Sequence, residues 1–403
     1  MKQLLKQTKG DQVIWAVVII LSFVSLLAVY SATGSLAYKH DTNSSYYLIK
    51  QILILGLGLV IIYLVHRVNY TKFARLAVVF YLISIPLLIY TLFFGVKLNE
   101  GSRWIALPGT GITIQTSALA KLALFLFLAR MLSMKQNVIK DFKKGFLPVL
   151  TPVLITAALI APANLSTAVM IGVTSCIMFF IGRVRVRHIM LLAFAGIIGG
   201  LLLYGVSKIT GVGRAATWEK RITDFVGSSE DGVEKEDVYQ VLHAKIAIAN
   251  GGIKGLGPGN SQQRNFLPHS YSDFIYAVII EEYGLIGGMV IVFLYLLFLW
   301  RSILIFRRCP YAFGAFLAVG LSVTLVFQAM LNMAVNVNLM PVTGLTLPLV
   351  SMGGSSVWFT SIAIGVILSV SRYVDETEGK KKAEMEKAVA ESERSVNGKL
   401  AMG

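Results

Sequence analysis

The stretch FLPHSYSDFIYAVIIEEYG, from Phe266 to Gly284, places three carboxylates at the entrance of an apolar run that continues almost uncharged to Leu299. Asp273 stands where the run begins. Glu281 and Glu282 follow about 12 Å further along if the segment is helical. Carboxylates are among the costliest side chains to place in hydrocarbon, so each asks for a role. "SYSD" ahead of an apolar run is a good helix N-terminus, where a carboxylate satisfies free N–H groups and the helix dipole. Set against low-dielectric surroundings, the same carboxylate could instead hold a proton tightly enough to serve as a general base. Glu281 and Glu282 are neighbours about 100° apart on a helix, so at most one of them faces a given partner. The cation at matching depth is Lys121, near the start of another apolar run. A structural ion pair locking two helices is one reading of these groups, and a part in catalysis is the other.

Further cations lie in polar segments. Arg103 and Trp104, in GSRWIALPG, read either as an interfacial anchor or as a guanidinium fork for phosphate oxygens. Arg214, Arg221, Lys245, Lys254 and Arg264 could join it around an anionic, diphosphate-bearing ligand, although seven acidic residues share their loop. GGIKGLGPGNSQQRN (251–265) is glycine-rich without the spacing of a phosphate-binding loop. It reads as a tight re-entry loop with backbone amides available to a ligand. NVNLMPVTGLTLPLVSMGGSS (336–356) carries prolines and glycines at membrane depth, where irregular backbone must line a cavity or pack in protein. It should roof the same cavity. No cluster has metal-ligand spacing.

The elements that position these groups are membrane helices. The chain has 403 residues, 56% hydrophobic and only 14% charged, with mean hydropathy +0.71. Soluble proteins carry about 25% charged residues. Apolar runs at 13–34, 48–65, 74–95, 117–133, 147–162, 167–182, 189–207, 273–299, 313–335 and 353–370 predict an all-α polytopic membrane protein of about ten transmembrane helices. Lys and Arg crowd the loops on one side, as at Arg67, Lys72, Lys143, Lys144, Arg185 and Arg307, which puts both termini in the cytoplasm. That bias accounts for most of the +16 net charge through topology and anionic membrane lipid, without nucleic acid. A large extracellular loop (208–272) separates the seventh and eighth helices. Within it VYQVLHAKIAIANGG has helical spacing and ends on Gly251, and should lie apolar face down on the outer leaflet. Residues 1–372 form the membrane domain; 373–403 form a charged cytoplasmic tail, a frayed helix or disordered and expected to be flexible. Cys176 and Cys309 imply no disulfide framework.

In GSRWI at 101, QTSALAKLAL at 115, IAIANGGIKGLGPG at 246, LPHSYSDFIYAVIIEEYG at 267 and PVTGLTLPLVSMGGSS at 341, the chain resembles the SEDS family, the FtsW/RodA group of cell-wall synthases. The resemblance implies a peptidoglycan glycosyltransferase in the bacterial cytoplasmic (inner) membrane, with its active site facing outward. Such enzymes join lipid II disaccharides into a growing glycan strand with inversion. They work with a class B penicillin-binding transpeptidase and the proteins of the division or elongation complex. The family's TDFIF aspartate falls on Asp273, implying the general base. Its polar residues fall on Arg103, Trp104, Gln115 and Lys121, of which Arg103 and Lys121 would handle the diphosphate; assistance by a divalent cation (Mg or Mn) fits such a leaving group. Ala118 stands where the family often has an acid, which would leave Lys121 to Glu281 or Glu282. RAATWEKRI (214–222) and the basic tail lean toward the FtsW, division branch. An elongation polymerase like RodA, a flippase for lipid-linked sugars and a non-catalytic scaffold are the competing readings.

Overall fold

The computed structural model describes residues 9–34, 36, 43–98, 101–106, 113–210, 221, 225 and 236–400. Its helices are α1 (Gln12–Ala32), α2 (Ser44–Arg67), α3 (Tyr70–Phe94), α4 (Thr116–Lys135), α5 (Leu147–Ile160), α6 (Leu165–Ile181), α7 (Val186–Thr210), α8 (Glu236–Gly251), α9 (Ile275–Arg308), α10 (Ala312–Asn336) and α11 (Ser355–Leu400). Among the described residues, eight helices are long and apolar enough to cross a membrane, and the apolar stretches Leu165–Ile181 and Val186–Leu202 are shorter. Together these are the ten apolar helices that the sequence predicts; the chain is an all-α, multi-pass membrane protein. Bulky apolar side chains such as Leu53, Phe93, Phe194, Leu202 and Phe293 face outward. So wide an apolar surface belongs in lipid, since soluble monomers rarely expose such patches.

α10 is the axis of the bundle. In its apolar window 78% of residues are buried, against 28% in α2 and α3. It packs on α9, α4, α11 and α6, so polar side chains on α10 meet protein rather than lipid. The two ends of the chain meet at one end of the bundle. There the Asp11 N–H donates to Ser371 Oγ at 2.9 Å. The Asp11 carboxylate accepts from Arg301 at 2.6 and 2.7 Å while capping the Val13 and Ile14 N–H groups of α1. The tail, expected to be flexible, continues α11 as helix to Leu400.

The opposite end holds the polar segments. The first contains a feature absent from the sequence reading: a three-stranded antiparallel sheet of β1 (Val96–Leu98), β2 (Gly101–Ala106) and β3 (Thr113–Gln115). Strands this short carry too little alternation to be read from sequence. α8 forms where helical spacing puts it, and its small apolar face packs on protein. Ala244 and Ala247 bury against Phe274 and against Ala277 and Val278 of α9, because small side chains let the two backbones approach closely.

Candidate active site

α9 is a broken helix. Gly284 (φ 70°, ψ −174°) interrupts it one turn after the two glutamates. The break frees backbone groups, and the glycine-rich loop takes them up. Leu256 N–H donates to the Glu281 carbonyl and Gly257 N–H to the Glu282 carbonyl, both at 2.9 Å, while Leu285 N–H donates to the Gly252 carbonyl at 2.9 Å. A Cβ on Gly255 would stand 2.2 Å from the Glu282 oxygen, and one on Gly284 would stand 2.1 Å from the Ile253 oxygen. The glycines therefore serve close backbone packing. The amides of Leu256 and Gly257, expected to be available to a ligand, are already committed.

Both glutamates are buried within this loop. Glu281 accepts from the Ser261 hydroxyl, from the Gln262 and Gln263 N–H groups at 3.2 Å, and from Asn250 Nδ2 at 3.5 Å. Glu282 accepts from the Ser31 hydroxyl. Arg264 Nη1 in turn donates to Ser31 Oγ and to the Gly259 carbonyl, each at 2.9 Å. Neither glutamate meets Lys121, which corrects the expected ion pair. Their position just before the break turns them toward loop 259–264 rather than toward α4.

Lys121 instead donates to Gln328 Oε1 on α10. It lines a cavity of about 60 Å³ where the amides and hydroxyls of Gln115, Asn164, Thr324 and Thr346 are interspersed with apolar side chains such as Leu122, Phe125 and Ala118. Among the described residues no carboxylate lies within ion-pairing distance of it. Gln328 also donates to the Thr346 carbonyl at 2.8 Å. One turn on, Asn332 Nδ2 donates to the Leu345 carbonyl at 2.7 Å and to the Asp273 carbonyl at 2.8 Å. A further turn on, Asn336 Nδ2 also donates to the Asp273 carbonyl at 2.8 Å, and Asn336 Oδ1 accepts the Ala277 N–H at 3.0 Å. Gln328, Asn332 and Asn336 recur every four residues, so they form one stripe on α10. That stripe holds the segment 341–352 and the turn before α9 together.

Asp273 is half-buried in that turn, with α9 beginning at Ile275 and Phe274 in the capping position. The capping position is therefore one residue later than the sequence suggests, and the Ala277 N–H of the first turn is taken by Asn336 Oδ1 at 3.0 Å. The neighbouring groups are fixed as well. The Ser272 carbonyl accepts from Ser351 Oγ at 2.6 Å, and Met352 N–H donates to the Tyr271 carbonyl at 2.9 Å. Burial first, and then the negative charge of Asp273, push the Tyr271 phenol up, so it is neutral beside the carboxylate. Leu349, buried in the roofing segment, has φ 65°. That conformation costs an L-residue roughly 1–2 kcal/mol, which the surrounding hydrogen bonds offset.

The expected binding residues divide. Trp104 on β2 stands opposite Gln115 on β3, and Gln115, at the start of α4, shares the cavity with Lys121. Arg103 lies beside Trp104 on β2, with its side chain outside the described residues. Lys245 and Lys254 are exposed and do not line the Lys121 cavity. Arg214 lies outside the described residues. Gln328, Asn332 and Asn336 were missed by sequence reasoning, although amides at spacing four inside an apolar helix are a legible signal. Among the described residues no three His, Cys, Asp or Glu side chains gather as metal ligands. The donors around Lys121, neutral amides and hydroxyls beside a cation, suit an anion better than Mg or Mn.

A family model described as "Cell cycle protein", covering FtsW, RodA and SpoVE, matches residues 11–376. The chain belongs to the FtsW/RodA/SpoVE family. It is 35% identical over 375 residues to stage V sporulation protein E of Bacillus subtilis strain 168, covering 91% of this chain and 98% of that one. It is 32% identical over 367 residues to the probable peptidoglycan glycosyltransferase FtsW of Trichlorobacter lovleyi, covering 90% and 93%. A solved peptidoglycan synthase complex, described as coordinating polymerization and crosslinking, contains a chain with TM-score 0.69 at 25% identity, covering 91% and 98%. The rod-shape-determining protein RodA of Thermus thermophilus shares the fold with TM-score 0.65 at 23% identity, covering 90% and 97%.

Proposed function

We propose that this chain polymerises peptidoglycan, joining lipid II disaccharides into glycan strands at the outer face of the bacterial cytoplasmic membrane during division. The oxygen of an acceptor 4-hydroxyl forms the new bond to the anomeric carbon of the donor. The bond from that carbon to the lipid diphosphate breaks, and the diphosphate leaves with the electron pair. The Asp273 carboxylate takes the hydroxyl proton as general base, and the stereochemistry inverts. Lys121 faces the developing diphosphate charge from its cavity, where a dry surrounding strengthens the attraction. Gln115 borders that cavity on the sheet side, and Arg103 and Trp104, on the adjoining strand, would meet the diphosphate from there.

The observation that carries this reading is the α10 stripe. Successive amides tie Lys121 and the Asp273 turn to one rigid element, so an anion-binding cation and a carboxylate at the helix entrance share one frame. The relatives named FtsW and stage V sporulation protein E support the division and sporulation branch over elongation. The similarity to a chain of a synthase complex supports a class B transpeptidase as partner. Since its donors do not favour a divalent ion, no step is routed through a metal. The test is lipid II polymerisation by purified protein with a partner that itself lacks glycosyltransferase activity, wild type against Asp273→Ala.

A further inference from the structure

The main-chain carbonyl of Asp273 is held in a way that a helix entrance does not require. In an uninterrupted α-helix the Ala277 N–H would donate to the Asp273 carbonyl, four residues back. Here the side-chain amide of Asn336 stands between them: its Oδ1 accepts the Ala277 N–H at 3.0 Å, and its Nδ2 donates to the Asp273 carbonyl at 2.8 Å. Ala277 N–H reaches the Phe274 carbonyl as well, at 3.1 Å, a tighter turn that begins after Asp273. The second lone pair of the Asp273 carbonyl is taken by Asn332 Nδ2 at 2.8 Å. Both asparagines are 1% exposed. Asn332 gives both amide protons to carbonyls, while its buried Oδ1 accepts from no protein group among the described residues. The amide is thus oriented as a donor at the cost of its acceptor, an arrangement that native structures rarely tolerate without a function.

We propose that Asn332 and Asn336 are positioning residues for Asp273, intercepting the bond that would make Asp273 the N-cap of α9 so that its carboxylate stays clear of the helix end. This rests on the reading of Asp273 as general base. Without the two amides, the Ala277 N–H closes on the Asp273 carbonyl and α9 extends back by one residue, with Asp273 as its N-cap. As the N-cap, Asp273 turns its carboxylate onto the free N–H groups of the first turn and away from the acceptor hydroxyl. A shift of about 1 Å in a reacting group costs about 10²-fold in rate. Donor binding at Lys121 is untouched, because Gln328 holds that end independently.

The test measures kcat, KM and equilibrium donor binding for Asn336→Leu and Asn332→Leu, for Asp273→Ala, and for each asparagine change combined with Asp273→Ala. Lipid II is the probe, with the full chain and its transpeptidase partner. The expected result is a fall in kcat of at least tenfold with donor affinity within threefold of wild type, and no further loss when Asp273 is already Ala. Asn336→Asp keeps the size and the acceptor but loses the donor, and should fall as far; it stands in if the leucine variants do not fold. An asparagine role in cavity shape alone would lower donor affinity and cut the residual rate of Asp273→Ala, overturning the proposal. Asparagine variants at wild-type kcat beside an inactive Asp273→Ala overturn it too, leaving the base reading intact. A fully active Asp273→Ala removes both.

Discussion

Lys121 gives its ammonium to Gln328 Oε1, and among the described residues no carboxylate stands within ion-pairing distance of it. An ammonium left with a neutral partner inside a bundle is a standing cost to the fold, and its charge is free for an anion. Lys121→Met should therefore keep or raise the unfolding free energy, by about 1 kcal/mol at most. The same change should lower kcat/KM for lipid II by about 10²-fold. Parallel melting and polymerisation assays check the pair; joint loss of stability and activity would mark Lys121 as structural.

Ala118 lines the same cavity and lies three residues before Lys121 on α4. A carboxylate at that spacing reaches the ammonium. Ala118→Glu should raise the unfolding free energy by roughly 1 kcal/mol or more, since it partners a partly buried charge, and should raise polymerisation by fixing the cavity geometry. No gain in either measurement would show that Gln328 already suffices.

Glu281 is completely buried and serves loop 261–263, not the cation. Glu281→Ala strands two backbone N–H groups and a hydroxyl, costing about 2–4 kcal/mol. Hydrogen exchange should rise first at Gln262 and Gln263. Glu281→Gln keeps one acceptor oxygen and should cost less than half as much.

Gly255 and Gly284 both have positive φ and touch backbone oxygens closer than any Cβ allows. Alanine at either should cost more than about 2 kcal/mol and reduce folded yield. Gly56 is the control. It sits in α2 with nothing within 4 Å, so Gly56→Ala should be neutral or gain about 0.5–1 kcal/mol. Fluorescence size-exclusion yield and melting in detergent check all three.

Much of this architecture was legible because membrane helices announce themselves by length and composition alone. α1 to α7 and α9 to α11 follow from apolar runs, and α8 follows from its spacing and from Gly251. Asp273 stood out because a carboxylate at the edge of an apolar run is costly. What could not be read was pairing at a distance. Gln328 lies 207 residues from Lys121, and no local pattern says that it, rather than a glutamate, receives the ammonium. The glutamates misled for the same reason: a break at Gly284 turns them toward a loop that precedes them in sequence. The glycines of 251–259 were legible as special, but sequence does not distinguish glycine that admits a ligand from glycine that admits another backbone. The asparagine pair on α10 was visible as spacing, yet its insertion into the α9 entrance depends on how two helices meet.

The central claim is that Asp273 takes the proton in glycan polymerisation, and one measurement addresses it most directly. Purified wild type and Asp273→Ala, matched for folding and each joined to a transpeptidase partner without glycosyltransferase activity, are given lipid II, and the glycan length is measured. Long glycan from wild type and only a small residual amount of product from Asp273→Ala is the predicted result. Equal glycan from both proteins would contradict it.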